Sequence, residues 1–232
     1  MAPTTIAVRR IQADVRRVQT ELAESGIYWV ADETNLTQGW AILCGMEGTP
    51  YHGGFFCLEV HFPDNYPFDP PTCKYLTNDG RTRFNPNLYI NGKVCLSLLN
   101  TWAGEKWSAI QSLASVLQSI QTMVLCDHPL HNEPAYNNVA SSHPDIPVYE
   151  RMVTHSVLKT AILEQLRSPP PYVIPILPQL KAFVAKERDA ILTKCRALRE
   201  WDDRTETLAF FNMRTTYTFG QLITELESLD LS

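Results

Sequence analysis

Apolar positions define the first element. Val8, Ile11, Val15, Val18 and Leu22 recur at three- and four-residue steps, the period of an amphipathic helix, while Arg9, Arg10, Arg16 and Arg17 lie off that stripe. Gly26 follows as a helix stop. The pattern then shortens. Ile27 to Val30, Trp40 to Cys44, Phe55 to Phe62 and Thr72 to Leu76 read as strands separated by turn residues, and their close spacing suggests an antiparallel meander. Before the last of them stands Asn65-Tyr66-Pro67-Phe68-Asp69-Pro70-Pro71. Proline fixes φ and removes a donor, so this stretch is a rigid connection rather than a ladder strand.

Thr77 to Trp107 carries no long periodic element and is rich in Asn and Gly. Inside a compact domain, a loop of that length signals either function or a mistaken assignment. Ser108 has the character of an N-cap. The helix predicted after it carries Ile110, Leu113, Leu117, Ile120 and Val124 on one face, widened by Val116 and Met123. His128 to Pro134 breaks it. A further helix is predicted over about Val148 to Leu166. Ser168-Pro169-Pro170-Pro171 cannot sit inside a helix and is the clearest boundary, dividing 1–167 from 168–232. Beyond it, Leu180, Phe183, Glu187, Ile191, Cys195 and Leu198 predict a long helix whose face is interrupted at Glu187. A charged connection (Glu200 to Glu206) and a final helix over Phe219 to Leu229 complete the chain. The expected class is α+β with a helical C-terminal extension.

Composition narrows the picture. At 232 residues and 44% hydrophobic, the chain can bury one full core, with or without a smaller appendage. A net charge of -5 disfavours a broad nucleic-acid footprint. No apolar run approaches the roughly 20 residues that span a bilayer. Gln12, Asp14, Arg16 and Arg17 interrupt the place of a signal peptide's core. The expectation is therefore a cytoplasmic protein, with the nucleus open as a second compartment, and neither nucleic acid nor membrane as partner. Cys44, Cys57, Cys73, Cys95, Cys126 and Cys195 are spread without CxxC pairing. They suggest neither a disulfide framework nor a zinc site, and most read as small buried hydrophobes. No metal or cofactor is expected.

One segment carries candidate chemistry: Arg83-Phe84-Asn85-Pro86-Asn87-Leu88-Tyr89-Ile90-Asn91-Gly92-Lys93-Val94-Cys95-Leu96. It places a carboxamide, Asn87, eight residues before a thiol, Cys95, across a turn that can bring them together. Lys93 adds a positive charge beside the thiol. A thiol is a strong nucleophile once ionised, and a carboxamide can donate to the oxyanion of an acyl transfer. Asn near Gly also serves simply as turn chemistry. A cysteine hydrolase would need a His base beside the thiol. None of His52, His61, His128, His131, His143 and His155 stands in a hydrolase signature.

In order and spacing, residues 6 to 167 resemble the catalytic domain of ubiquitin-conjugating enzymes. The shared elements are the Arg-bearing first helix, the meander, Tyr66-Pro67-Phe68-Asp69-Pro70-Pro71, Asn85-Pro86-Asn87, Cys95 and Trp107. Finer features resemble a large-type branch with a C-terminal extension: the Thr101-Trp102-Ala103-Gly104 insertion and His131-Asn132-Glu133-Pro134. The resemblance implies the ubiquitin-conjugating fold and an acyltransferase in an ATP-dependent pathway. Cys95 would accept ubiquitin or a ubiquitin-like modifier from an activating enzyme as a thioester. It would pass the modifier to a substrate lysine or a ligase cysteine. It implies that Asn87 stabilises the oxyanion or braces the loop, and that Glu133 is the acid near the incoming lysine. Arg9, Arg10, Arg16 and Arg17 would meet the activating enzyme, and Phe68, Ala109 and Ile110 the ligase. Three positions depart from the family pattern. Asn85 replaces a largely structural His, Ser97 stands where an acid is common, and Ala109 where a proline is usual.

Overall fold

The computed structural model describes residues 3–231. Thr4 starts the first helix, its hydroxyl accepting the Ala7 N–H at 3.1 Å. Helix α1 (Thr5–Arg17) continues through wider π turns to Leu22 and stops at Gly26, whose φ of 75° suits a residue without Cβ. Ala7, Ile11, Val18 and Leu22 face the core, with Val8 and Val15 at the margin. One buried residue on this helix escapes an apolar pattern. Asp14 accepts hydrogen bonds from the Tyr66 hydroxyl, the Leu113 N–H at 3.2 Å and Arg10 Nε at 3.0 Å. A buried carboxylate needs such partners, and these fasten α1 to the proline-rich turn and to the helix that follows the long loop.

Strands β1 (Ile27–Ala31), β2 (Gln38–Cys44), β3 (Phe55–His61) and β4 (Thr72–Tyr75) form the predicted antiparallel meander in sequence order. Ala41 to Cys44 and Phe55 to Leu58 are buried at every position rather than alternately. Successive strand side chains point to opposite faces, so this half of the sheet is covered on both sides. The extension supplies one cover. Tyr172 stacks on Trp40 at 5.7 Å, and Phe183 meets Phe55 at 6.2 Å.

The loop after β4 holds only isolated pairings and one short turn, Ser97–Leu99. Helix α2 (Leu113–Ser119) is capped by Ser112, not Ser108, through a reciprocal box with Ser115. Arg10 decides this. Its guanidinium donates to the carbonyls of Ala109, at 2.9 Å, and Gln111, which holds 108–111 as a loop. Ile110, expected on the helix's inner face, is 93% exposed, and Met123 is likewise exposed. Helix α3 (Asp145–Ser156) begins three residues before the expected start and runs through π turns into the single turn α4 (Gln165–Arg167). The proline run ends it.

Helix α5 (Leu177–Ala197) and helix α6 (Phe219–Glu227) match the predicted extension helices closely. Between them the structure differs from expectation. A hairpin of β5 (Thr205–Leu208) and β6 (Met213–Thr216) turns through Ala209–Phe211 and Asn212, which adopts φ 52°. Only Leu208 and Met213 of its strands are buried, so no alternating apolar signal marks it.

The extension is clamped to the rest by polar contacts as well. His52 Nε2 meets Glu187 at 3.1 Å, which accounts for the polar interruption in the α5 face. Lys194 Nζ donates to the Thr49 carbonyl at 2.6 Å, and burial pushes its ammonium down to about 8. Arg151 forks onto Glu206 at 3.0 and 2.6 Å while lying 3.8 Å over the Trp201 ring. Burial lowers His155 to about 4, and its Nε2 accepts the Thr218 N–H at 3.1 Å. One hydrophobic cluster runs from Ala7 to Leu226, so the proline run ends a helix without interrupting the core. No helix among the described residues is long and apolar enough to cross a membrane.

Candidate active site

Cys95 and Asn87 sit side by side. The Cys95 N–H donates to the Asn87 carbonyl at 2.9 Å, and Asn87 Nδ2 donates back to the Cys95 carbonyl at 2.7 Å. A carboxamide nitrogen carries two protons, so one remains for a further acceptor. The partner atom, Asn87 Oδ1, is buried with no hydrogen bond among the described residues.

The turn carrying Asn87 and the segment carrying Cys95 are both fixed by side chains. Asn85 is fully buried; its Nδ2 donates to the Tyr51 hydroxyl at 3.0 Å and the Val124 carbonyl at 2.6 Å. Its Oδ1 accepts the Asn87 N–H at 2.8 Å. Arg83 donates from Nε to the Asn85 carbonyl at 3.1 Å and from Nη2 to the Pro86 carbonyl at 2.7 Å. On the thiol side, the Thr101 hydroxyl donates to the Val94 carbonyl at 2.7 Å and accepts the Leu96 N–H at 2.9 Å. It therefore grips the backbone on both flanks of Cys95. Trp107 closes the loop, donating from Nε1 to the Pro67 carbonyl at 2.7 Å.

Cys95 keeps 2% of its surface. Burial pushes the Cys57 and Cys73 thiols up to about 12 and Cys195 to about 11, Cys44 further, and raises Cys126 as well. A thiol raised in this way is a poor nucleophile and serves as packing. The Lys93 ammonium lies 5.6 Å from the centroid of the Tyr89 ring. Among the described residues no cluster of His, Cys, Asp and Glu could hold a metal.

A family model described as "Ubiquitin-conjugating enzyme" matches residues 10–157, more than half the chain. The chain belongs to the ubiquitin-conjugating enzyme family. It resembles ubiquitin-conjugating enzyme E2 Z of Xenopus tropicalis, 41% identical over 160 residues that cover 68% of this chain and 50% of that protein. The human ubiquitin-conjugating enzyme E2 Z is 33% identical over 219 residues, covering 94% of this chain and 61% of that protein. That longer match takes in the extension. The human "Dual E2 ubiquitin-conjugating enzyme/E3 ubiquitin-protein ligase BIRC6" is 35% identical over 211 residues, 86% of this chain and 4% of that protein. The chain thus spans about half to three fifths of the length of the E2 Z relatives.

Within this conjugating-enzyme fold the other expected site residues separate. Glu133 closes the turn Pro129–Asn132, half-buried, with its charge acting on Tyr136 and Tyr149. No hydrogen bond ties its carboxylate to the Cys95 loop among the described residues. Arg9, Arg16 and Arg17 are exposed on α1, with Arg17 paired to Glu21 at 2.8 Å. Arg10 turns away from that surface to hold the 109–111 loop and Asp14. Phe68 and Ile110 stand out, 66% and 93% exposed. Ser97 faces the insertion: a Cβ on Gly104 would lie 3.2 Å from the Ser97 Cβ. Arg83 and Thr101 stand inside the motif-bearing segments, but their grip on the loop is made by side chains to nearby carbonyls in an irregular backbone, and spacing does not show that.

Proposed function

We propose that this chain carries ubiquitin or a ubiquitin-like modifier as a thioester on Cys95 and hands it on. The observation that carries this reading is the reciprocal pair of hydrogen bonds between Asn87 and Cys95. In loading, the Cys95 thiolate attacks the thioester carbonyl held by the activating enzyme. A carbon–sulfur bond to Cys95 forms, the old one breaks, and the activating enzyme's thiolate leaves. In discharge, a lysine amine attacks the same carbonyl. A carbon–nitrogen bond forms, the amine loses a proton, and Cys95 departs as thiolate; a ligase cysteine would take the amine's place in transthiolation. The free proton of Asn87 Nδ2 stabilises the oxyanion that forms when the lysine amine attacks.

Arg9, Arg16 and Arg17 offer the activating enzyme a cationic helix face, while Phe68 and Ile110 offer a ligase two apolar side chains. Arg10 stands at the edge of the cationic face, and Ala109, whose carbonyl it holds, lies beside Ile110 on the ligase side. ATP, ubiquitin and each available activating enzyme should give a thiol-sensitive adduct on a non-reducing gel. No adduct with any modifier would overturn the proposal. Glu133 is assigned to receive the lysine's proton. Glu133→Gln is expected to slow discharge onto free lysine more than loading, and equal slowing of both steps would remove it from that role.

A further inference from the structure

The loop bearing Asn87 is held by a cation, and that cation is held in turn by the extension. The Arg83 side chain reaches the carbonyls of both Asn85 and Pro86, the two peptide units that precede Asn87. A guanidinium fork can hold two carbonyls in one plane, which an ammonium cannot. The fork is itself enclosed by aromatic rings. Its central carbon lies 3.3 Å from the Tyr89 ring centroid and 5.7 Å from that of Phe211. Cations are attracted to ring faces within about 6 Å.

Phe211 belongs to the hairpin turn between β5 and β6, far along the chain from the loop. It is seated from behind by Tyr149, ring to ring at 5.7 Å, and by Phe210 at 4.9 Å. The Tyr149 hydroxyl donates to the Arg83 carbonyl at 2.8 Å, so the same aromatic cluster fixes Arg83 at its backbone and at its side chain. The hairpin is anchored independently by the Arg151–Glu206 fork. A continuous chain of contacts therefore runs from the extension through Phe211 and Arg83 to the Asn85-Pro86-Asn87 turn.

We propose that Arg83 and Phe211 are positioning residues for acyl transfer, and that the extension's hairpin is a working part of the site. The inference rests on the reading of Cys95 and Asn87 given above. Phe211 with Tyr89 confines the guanidinium, the guanidinium fixes two carbonyls, and these aim the Asn87 amide at the oxyanion. The amide is needed where charge develops, so the brace acts on turnover and not on the encounter with lysine.

The test uses the full chain carrying Arg83→Lys, Phe211→Leu or Phe211→Tyr. Arg83→Lys keeps the charge and loses the fork, Phe211→Leu keeps apolar bulk and loses the ring face, and Phe211→Tyr keeps the ring. Misplacing a reacting group by about 1 Å can cost about 10²-fold, so a loosened brace is expected to lower kcat for discharge onto lysine about tenfold. KM for lysine and the loading rate should stay near wild type. Phe211→Tyr should behave as wild type, with thermal midpoints measured alongside. Amide hydrogen exchange at Asn87 and Cys95 reads the brace without turnover. It should quicken in Arg83→Lys and Phe211→Leu and be restored in Phe211→Tyr. Unchanged exchange and discharge in both weakened variants would overturn the proposal, as would parallel loss of loading and discharge, or Phe211→Tyr no better than Phe211→Leu. A wild-type chain that fails to load would sink the conjugation reading alone, and the exchange measurements would still decide the brace.

Discussion

Cys95→Ala is expected to form no adduct with any modifier, and Cys95→Ser to form one that survives thiol treatment and does not discharge. Losing a covalent nucleophile costs an enzyme up to about 10⁶ in kcat, so the alanine variant should show nothing above background. Serine replaces the thiol with a far less acidic hydroxyl. The hydroxyl is a weaker nucleophile, so loading slows. Its alkoxide is a poor leaving group, so any ester persists. The neighbourhood should tolerate both changes, because the Cys95 contacts that hold the loop are made by its backbone N–H and carbonyl. Non-reducing and reducing gels distinguish the outcomes. A thiol-sensitive adduct retained in Cys95→Ala would place the chemistry on another residue.

Asn87→Ala is expected to slow discharge onto lysine by about 10²–10³, the usual cost of one oxyanion donor. Two roles are combined in this side chain: the bond to the Cys95 carbonyl shapes the loop, and the second amide proton is available for chemistry. The backbone bond from Cys95 to the Asn87 carbonyl survives the substitution, so the loop keeps one of its two ties. Single-turnover discharge from a preloaded thioester, measured with the thermal midpoint, separates the roles. A slowed discharge at unchanged stability supports the donor. Unchanged discharge with an intact fold removes Asn87 from the mechanism.

Much of the fold was legible in the chain because burial and period coincide there. The first helix, four strands and the long helix α5 have apolar residues at the spacing their geometry requires. The site was legible for a different reason. Asn87, Cys95, Trp107 and the proline-rich turn stand at spacings that carry a family resemblance, whereas each alone is ordinary. Ser108 misled because a serine before an apolar run looks like a cap, while Arg10, 99 residues from Ala109, fixes that stretch as a loop.

The sequence by itself determined the order of most elements, because burial there follows local period, and singled out Cys95 and Asn87 as a candidate pair through a family resemblance. The tertiary structure alone decided which groups hold them. Asp14 reads as a polar interruption until Tyr66, Arg10 and Leu113 converge on it. Glu187 breaks an apolar stripe until His52 meets it. The hairpin of β5 and β6 is nearly silent in the chain, yet it brings Phe211 to Arg83. In each case the partner lies far away in sequence, and a contact between distant residues has no periodicity to announce it. The physical reason is the same throughout: burial of apolar surface is written into spacing, whereas the satisfaction of a buried charge or an orphaned donor is settled only when the chain closes on itself.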